Sequence, residues 1–362
     1  MERDYYHSID SFRFISAVCF VFFSFGLVTN IGQIMQYCFS FAVPFLYMTF
    51  GFLVLGEREN RTEIIGRCLT RNTLLLGILF VVFSILSLVY LKITGVNGTV
   101  SPENIKDFFL YGSWPLPVGS TAWFTMELVI SLAVFWLFSK LDLLDSRWFC
   151  WFVVIVTLAV NLLFGEFSEK IGLGTIPSFF LIHAMPLMLI GKLVRDKEEQ
   201  ILDLGVVIPA VTLVTGLLLT IGEILFFSRF TLFDFTSNYF GSIIVAVSVL
   251  MIAVLFPELG GVSGLGFWGG SCATWMFLLT QPVGMFINAA VTTTDVVITV
   301  LKPFLIFFIC LIISLIISVI LRRFIPRYHD ESVFDSVDPY EEDMAFFEQD
   351  EALFQSNESN DD

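Results

Sequence analysis

The feature that most constrains this chain is a series of ten long apolar runs, at residues 11–29, 33–56, 70–93, 121–139, 147–165, 175–194, 204–228, 236–256, 265–291 and 295–321. A helix crosses the hydrocarbon core of a bilayer in about 20 apolar residues. Inside that core every backbone amide must be satisfied within the protein, and continuous helices do this by themselves. Charged residues make up only 15% of the chain, against roughly 25% in soluble proteins. Its 42 phenylalanines would aggregate in water unless lipid or neighbouring helices covered them. Disorder, collagen, coiled coil and a disulfide-stapled secreted module are excluded. The expected fold is an all-α membrane protein with about ten transmembrane helices.

Lys and Arg orient such a chain, because they concentrate in cytoplasmic segments. With the N-terminus inside, thirteen of them fall on the cytoplasmic side and four (Lys92, Lys106, Lys170 and Arg229) on the other. Both termini are therefore expected in the cytoplasm. The formal net charge of −15 belongs to the end of the chain: residues 330–362 hold thirteen acids and no Lys or Arg. This gives a transmembrane domain over 1–325 and an acidic tail over 326–362, expected to be disordered: a solvated tail with no partner or, as the alternative, a docking segment for a basic cytoplasmic partner. No basic stripe suits nucleic acid. The six cysteines show no metal or disulfide spacing, so no metal is expected.

The first run opens with Asp10 and Arg13 and carries Ser24 eleven residues beyond the arginine. Eleven residues are close to three helical turns, so Arg13 and Ser24 share a face. This segment resembles the D-x-x-R-x10-H signature of the acyltransferase-3 membrane proteins. VPFLYMTFGFLVL at 43–55 is similar to that family's VPxFFxxSGFLL helix, and STAWFTMELVISL at 120–132 to HLWFLxxL. AMPLMLIGKLV at 184–194 resembles LPFFLLGxLL, and MFLLTQPVGMF at 276–286 resembles iYLxHxPv. The resemblance runs in order over about residues 7–320. It implies transfer of an acyl group from cytoplasmic acyl-CoA to a cell-envelope saccharide, with Asp10 and Arg13 at the donor end. Acyl-CoA, acetyl-CoA above all, would be a co-substrate, with no permanently bound cofactor.

The departures fall on the histidines: Ser24, Thr121 and Thr280 stand where the family pattern has them. Hydroxyls of this kind are not bases near neutral pH. Depth counted at 1.5 Å per residue places His183, Glu127, Glu223 and Lys302 roughly 8–12 Å in from the outer ends of their runs. Ser24 and Thr280 lie a little deeper. Ionisable groups within spans are costly and face a cavity or one another, so these residues are candidates for one outward-opening polar chamber. On one reading His183 is a substitute base oriented by Glu127 or Glu223. On the other, a Lys302–Glu pair and a hydrogen-bonded His183 hold helices together.

The expected function is an acyltransferase of the plasma membrane, multi-pass, meeting membrane lipid, acyl-CoA and a saccharide acceptor. The alternative is a catalytically degenerate relative that serves as a membrane scaffold or binding protein.

Overall fold

The computed structural model describes residues 6–25, 36–57, 60–95, 117–118, 121–161, 180–228, 240–261, 264–291 and 296–324. The acidic tail and most of the long connection at 94–120 lie outside the described residues. Among those described, every regular element is helical. In chain order they are α1 (His7–Ser24), α2 (Ala42–Phe50) continued by a π-helical turn (Gly51–Leu55), α3 (Arg61–Thr94) and α4 (Ala122–Lys140). They continue with α5 (Arg147–Asn161), α6 (Phe180–Asp196), α7 (Glu198–Leu204), α8 (Val207–Ser228), α9 (Phe240–Leu255), α10 (Leu265–Ala290) and α11 (Val296–Phe324).

Each apolar run falls on one of these helices over its described residues. Four stretches are long and apolar enough to cross a membrane on their own: Gln36–Leu55, Arg61–Thr94, Ala122–Lys140 and Val300–Leu321. A fifth, α7 with α8, qualifies only as a pair bent by 93°. Helix α1 is less apolar for a physical reason, since its inward face carries Ser8, Asp10, Ser11, Arg13 and Ser16, all buried.

The outer surface reverses the pattern of a soluble protein. On α3 the exposed side chains include Leu74, Ile78, Val81, Ile85 and Leu88, and on α11 Leu301, Leu305, Phe308, Ile312 and Ile316. Spacings of three and four place each set on one helical stripe. A solvated helix would put charges there; lipid accepts these side chains at no cost.

The centre is built on α2 and α6. All nine residues of α2 are buried. The two helices cross at near backbone contact, because a Cβ at Gly51 would collide with the Met188 carbonyl and one at Gly191 with the Met48 carbonyl. Without a hydrophobic driving force between helices in lipid, such small residues allow the close approach that dispersion needs. Helix α1 packs mainly along α10, α8 against α9, and α11 against α10 and α1. The start of α1 is tied down by Ser8, whose Oγ donates to the Ala253 carbonyl at 2.6 Å. Tyr6 joins it to the α6–α7 corner, donating to Glu198 and accepting from Arg195. Burial pushes the Tyr6 phenol above its ordinary pKa.

Candidate functional site

Two polar centres are built from the described residues. The first is the Asp10–Arg13 pair on α1. Three residues along a helix bring side chains onto one face, and Arg13 donates to Asp10 Oδ1 at 2.5 Å. Its second terminal nitrogen donates to Thr274 Oγ1 on α10 at 3.3 Å. Arg13 is 2% exposed. Gly269 makes this crossing possible, since any Cβ there would collide with the Asp10 carbonyl. The arginine of the family signature is therefore an interior group already committed to Asp10. From Arg13 the helix runs unbroken to Ser24, so their shared face survives, with Ser24 half-buried at the last turn.

The second centre joins three helices. Tyr47 of α2 donates its phenolic hydrogen to Glu127 Oε2 on α4 at 2.6 Å. His183 Nδ1 of α6 lies 3.2 Å from the same oxygen. Glu127 is buried and His183 is half-buried. The imidazole packs edge-on to Tyr47, with ring centroids 6.3 Å apart, and is tilted 6.0 Å from Trp123. Opposite a carboxylate that only accepts, the matching tautomer carries its hydrogen on Nδ1 and its lone pair on Nε2. This arrangement orients a nitrogen base. Among the described residues no cluster of His, Cys, Asp and Glu is suited to a metal ion.

Among the described residues, none of the other expected chamber residues is bonded to this centre. Glu223 accepts the backbone N–H of Gly241 at 3.1 Å and so caps the first turn of α9. It sits on α8, which packs on α9. Lys302 is half-buried on α11 and forms no ion pair with an acid among the described residues, so the proposed Lys302–Glu pair is not made. Thr280 donates to the Met276 carbonyl of its own helix at 2.7 Å. Thr121 donates at 2.6 Å to the carbonyl of Leu278 on α10. That carbonyl is the one whose helical partner would be the amide of residue 282, and Pro282 has none. Two of the hydroxyls that replace family histidines thus serve the backbone.

Tyr47 was not legible as a site residue. The available signal was a tyrosine where VPxFFxxSGFLL has a phenylalanine, together with a mid-span Glu127 in need of a donor. Two ion pairs were missed as well, one buried on both sides and one between a buried arginine and an exposed aspartate. Lys192 meets Asp196 at 2.5 Å one turn along α6, and Arg61 meets Asp145 at 2.6 Å.

Helices with lipid-compatible faces, around a buried arginine–aspartate pair and an imidazole beside a buried carboxylate, define an all-helical membrane protein. The family described as an acyltransferase domain matches residues 6–323, and the chain belongs to this acyltransferase-3 family. A curated relative, an amino-acid racemase of Enterococcus faecalis, is 24% identical over 139 residues. That match covers 35% of this chain and 20% of the racemase, so the chain spans about a fifth of that protein's length. No solved structure matches.

Proposed function

We propose that this protein moves an acyl group, acetyl in our reading, from cytoplasmic acyl-CoA to a hydroxyl of a cell-envelope saccharide. It would do so as a multi-pass protein of the plasma membrane, with ten spans and both termini in the cytoplasm. The observation that carries the proposal is the 3.2 Å approach of His183 Nδ1 to Glu127 Oε2. It supplies a base oriented by a carboxylate in a chain whose family histidines are hydroxyl residues.

In this reaction His183 Nε2 takes the proton of the acceptor hydroxyl while that oxygen attacks the thioester carbonyl carbon. The C–S bond then breaks and CoA leaves as its thiol after receiving a proton. A positioned base of this kind contributes about 10²–10⁴-fold to rate. In this reading Asp10 and Arg13 belong to the donor end, as the family signature implies.

A second reading has a specific observation behind it. Thr121 and Thr280 are engaged by backbone carbonyls, as expected of a relative that has kept the fold and lost the reaction. Purified protein in lipid, labelled acetyl-CoA and a panel of envelope saccharides separate the two. On the acyltransferase reading label moves to saccharide, and His183→Gln abolishes transfer while the melting temperature stays near wild type. Binding of acetyl-CoA without turnover, even after Ser24→His restores the family residue, supports the scaffold reading.

A further inference from the structure

We propose that Tyr47 is a positioning residue: through their shared oxygen it holds Glu127 against His183 Nδ1 and so keeps the imidazole's lone pair on Nε2. Two observations carry this. First, the Tyr47 hydroxyl and His183 Nδ1 converge on one atom, Glu127 Oε2, at 2.6 and 3.2 Å. A carboxylate pinned at that oxygen cannot swing its acceptor away from the ring. Second, Tyr47 itself has little freedom. It is fully buried, its ring stacks on Phe124 at 4.5 Å, and its helix is locked to α6 by the Gly51 and Gly191 crossings. The crossing that sets the spacing of α2 and α6 therefore also sets the spacing of Tyr47 and His183.

The arrangement is a relay of position. Tyr47 does not touch the reacting atoms; it fixes a carboxylate, and the carboxylate fixes a tautomer. A tyrosine serving only as core packing would need its ring and not its hydroxyl.

The catalytic consequence rests on the proposed role of His183 as base, but the tautomer does not, and the test reads both. The chain has three histidines, His7, His183 and His329, so ¹⁵N-histidine spectra of the full protein in lipid nanodiscs can be assigned with His183→Gln. Wild type is expected to show hydrogen on Nδ1 of His183. In Tyr47→Phe the Nε2–H form rises by about threefold, the weight of one ordinary hydrogen bond, with the melting temperature little changed. 3-Fluorotyrosine at position 47, a stronger donor of the same shape, leaves the Nδ1–H form dominant and guards against a Phe variant that folds poorly. In the transfer assay Tyr47→Phe lowers kcat with KM for the saccharide unchanged. A tautomer ratio that does not respond to Tyr47→Phe overturns the proposal. A changed ratio without any acyl transfer keeps the positioning role and removes His183 as the base of the reaction.

Discussion

The Thr121 hydroxyl donates at 2.6 Å to the Leu278 carbonyl, the acceptor that Pro282 leaves without its helical partner. A hydroxyl on α4 thereby mends a break in α10, and two helices 157 residues apart in sequence are joined at that point. Pro within a membrane helix is tolerated where a neighbouring side chain re-satisfies the freed group. Thr121→Val should therefore lower stability by about 1 kcal/mol. Thr121→Ser should retain most of it. Pro282→Ala returns an amide to Leu278, so adding it to Thr121→Val should recover the loss. Thermal unfolding of the four proteins in detergent checks this, and a strictly additive double mutant would count against the pairing.

Arg13 and Asp10 are a buried pair, and each is the other's compensation. Arg13→Ala leaves a carboxylate in the interior and should cost about 3–5 kcal/mol. Replacing both, with Arg13→Met and Asp10→Leu, should cost less than either single change. Loss of acetyl-CoA binding in Arg13→Ala must accordingly be compared with its folded fraction, measured by size-exclusion and melting temperature. Equal melting temperatures for wild type and Arg13→Ala would show that the pair contributes nothing to the fold.

Gly51 and Gly191 lie at the α2–α6 crossing, where a methyl group meets backbone rather than a movable side chain. Gly51→Ala and Gly191→Ala should each force the helices apart and destabilise by more than the 1–3 kcal/mol typical of overpacking. Gly77 on the lipid-facing side of α3 has open space around it, so Gly77→Ala is the control and should be neutral or slightly stabilising. Yield of monodisperse protein and melting temperature read the difference.

On the orientation expected from the Lys and Arg distribution, residue 60 lies inside and residue 97 outside. Cysteine introduced at Asn97 should react with an impermeant thiol reagent in intact cells, and cysteine at Asn60, which is exposed, should react only after lysis. The reverse pattern would invert the proposed orientation.

Glu223 shows where a sequence reading stops. Its mid-run position marked it as a chamber residue, yet it caps α9. Glu223→Gln keeps an acceptor for the Gly241 amide and should melt near wild type, whereas Glu223→Leu should cost about 1 kcal/mol. Acyl transfer by the folded fraction should be the same in both.

Helices at all ten runs follow from the apolar runs themselves, because lipid leaves the backbone no other partner. The Asp10–Arg13 contact was equally legible, since three residues on a helix always share a face. Counting 1.5 Å per residue also gave Glu127, His183, Glu223 and Lys302 a common depth. Depth is a coordinate along each helix, however, and says nothing of its rotation about its own axis. That rotation is decided by contacts between helices: glycines at Gly51 and Gly191 turn α2 and α6 so that Tyr47 and His183 meet Glu127, while α8 packs on α9 and turns Glu223 to Gly241. The sequence by itself determined where the apolar helices fall and how far along each helix its polar groups lie. Only tertiary packing decided which of them face one another, because the close approaches that set each helix's rotation join residues far apart in the chain.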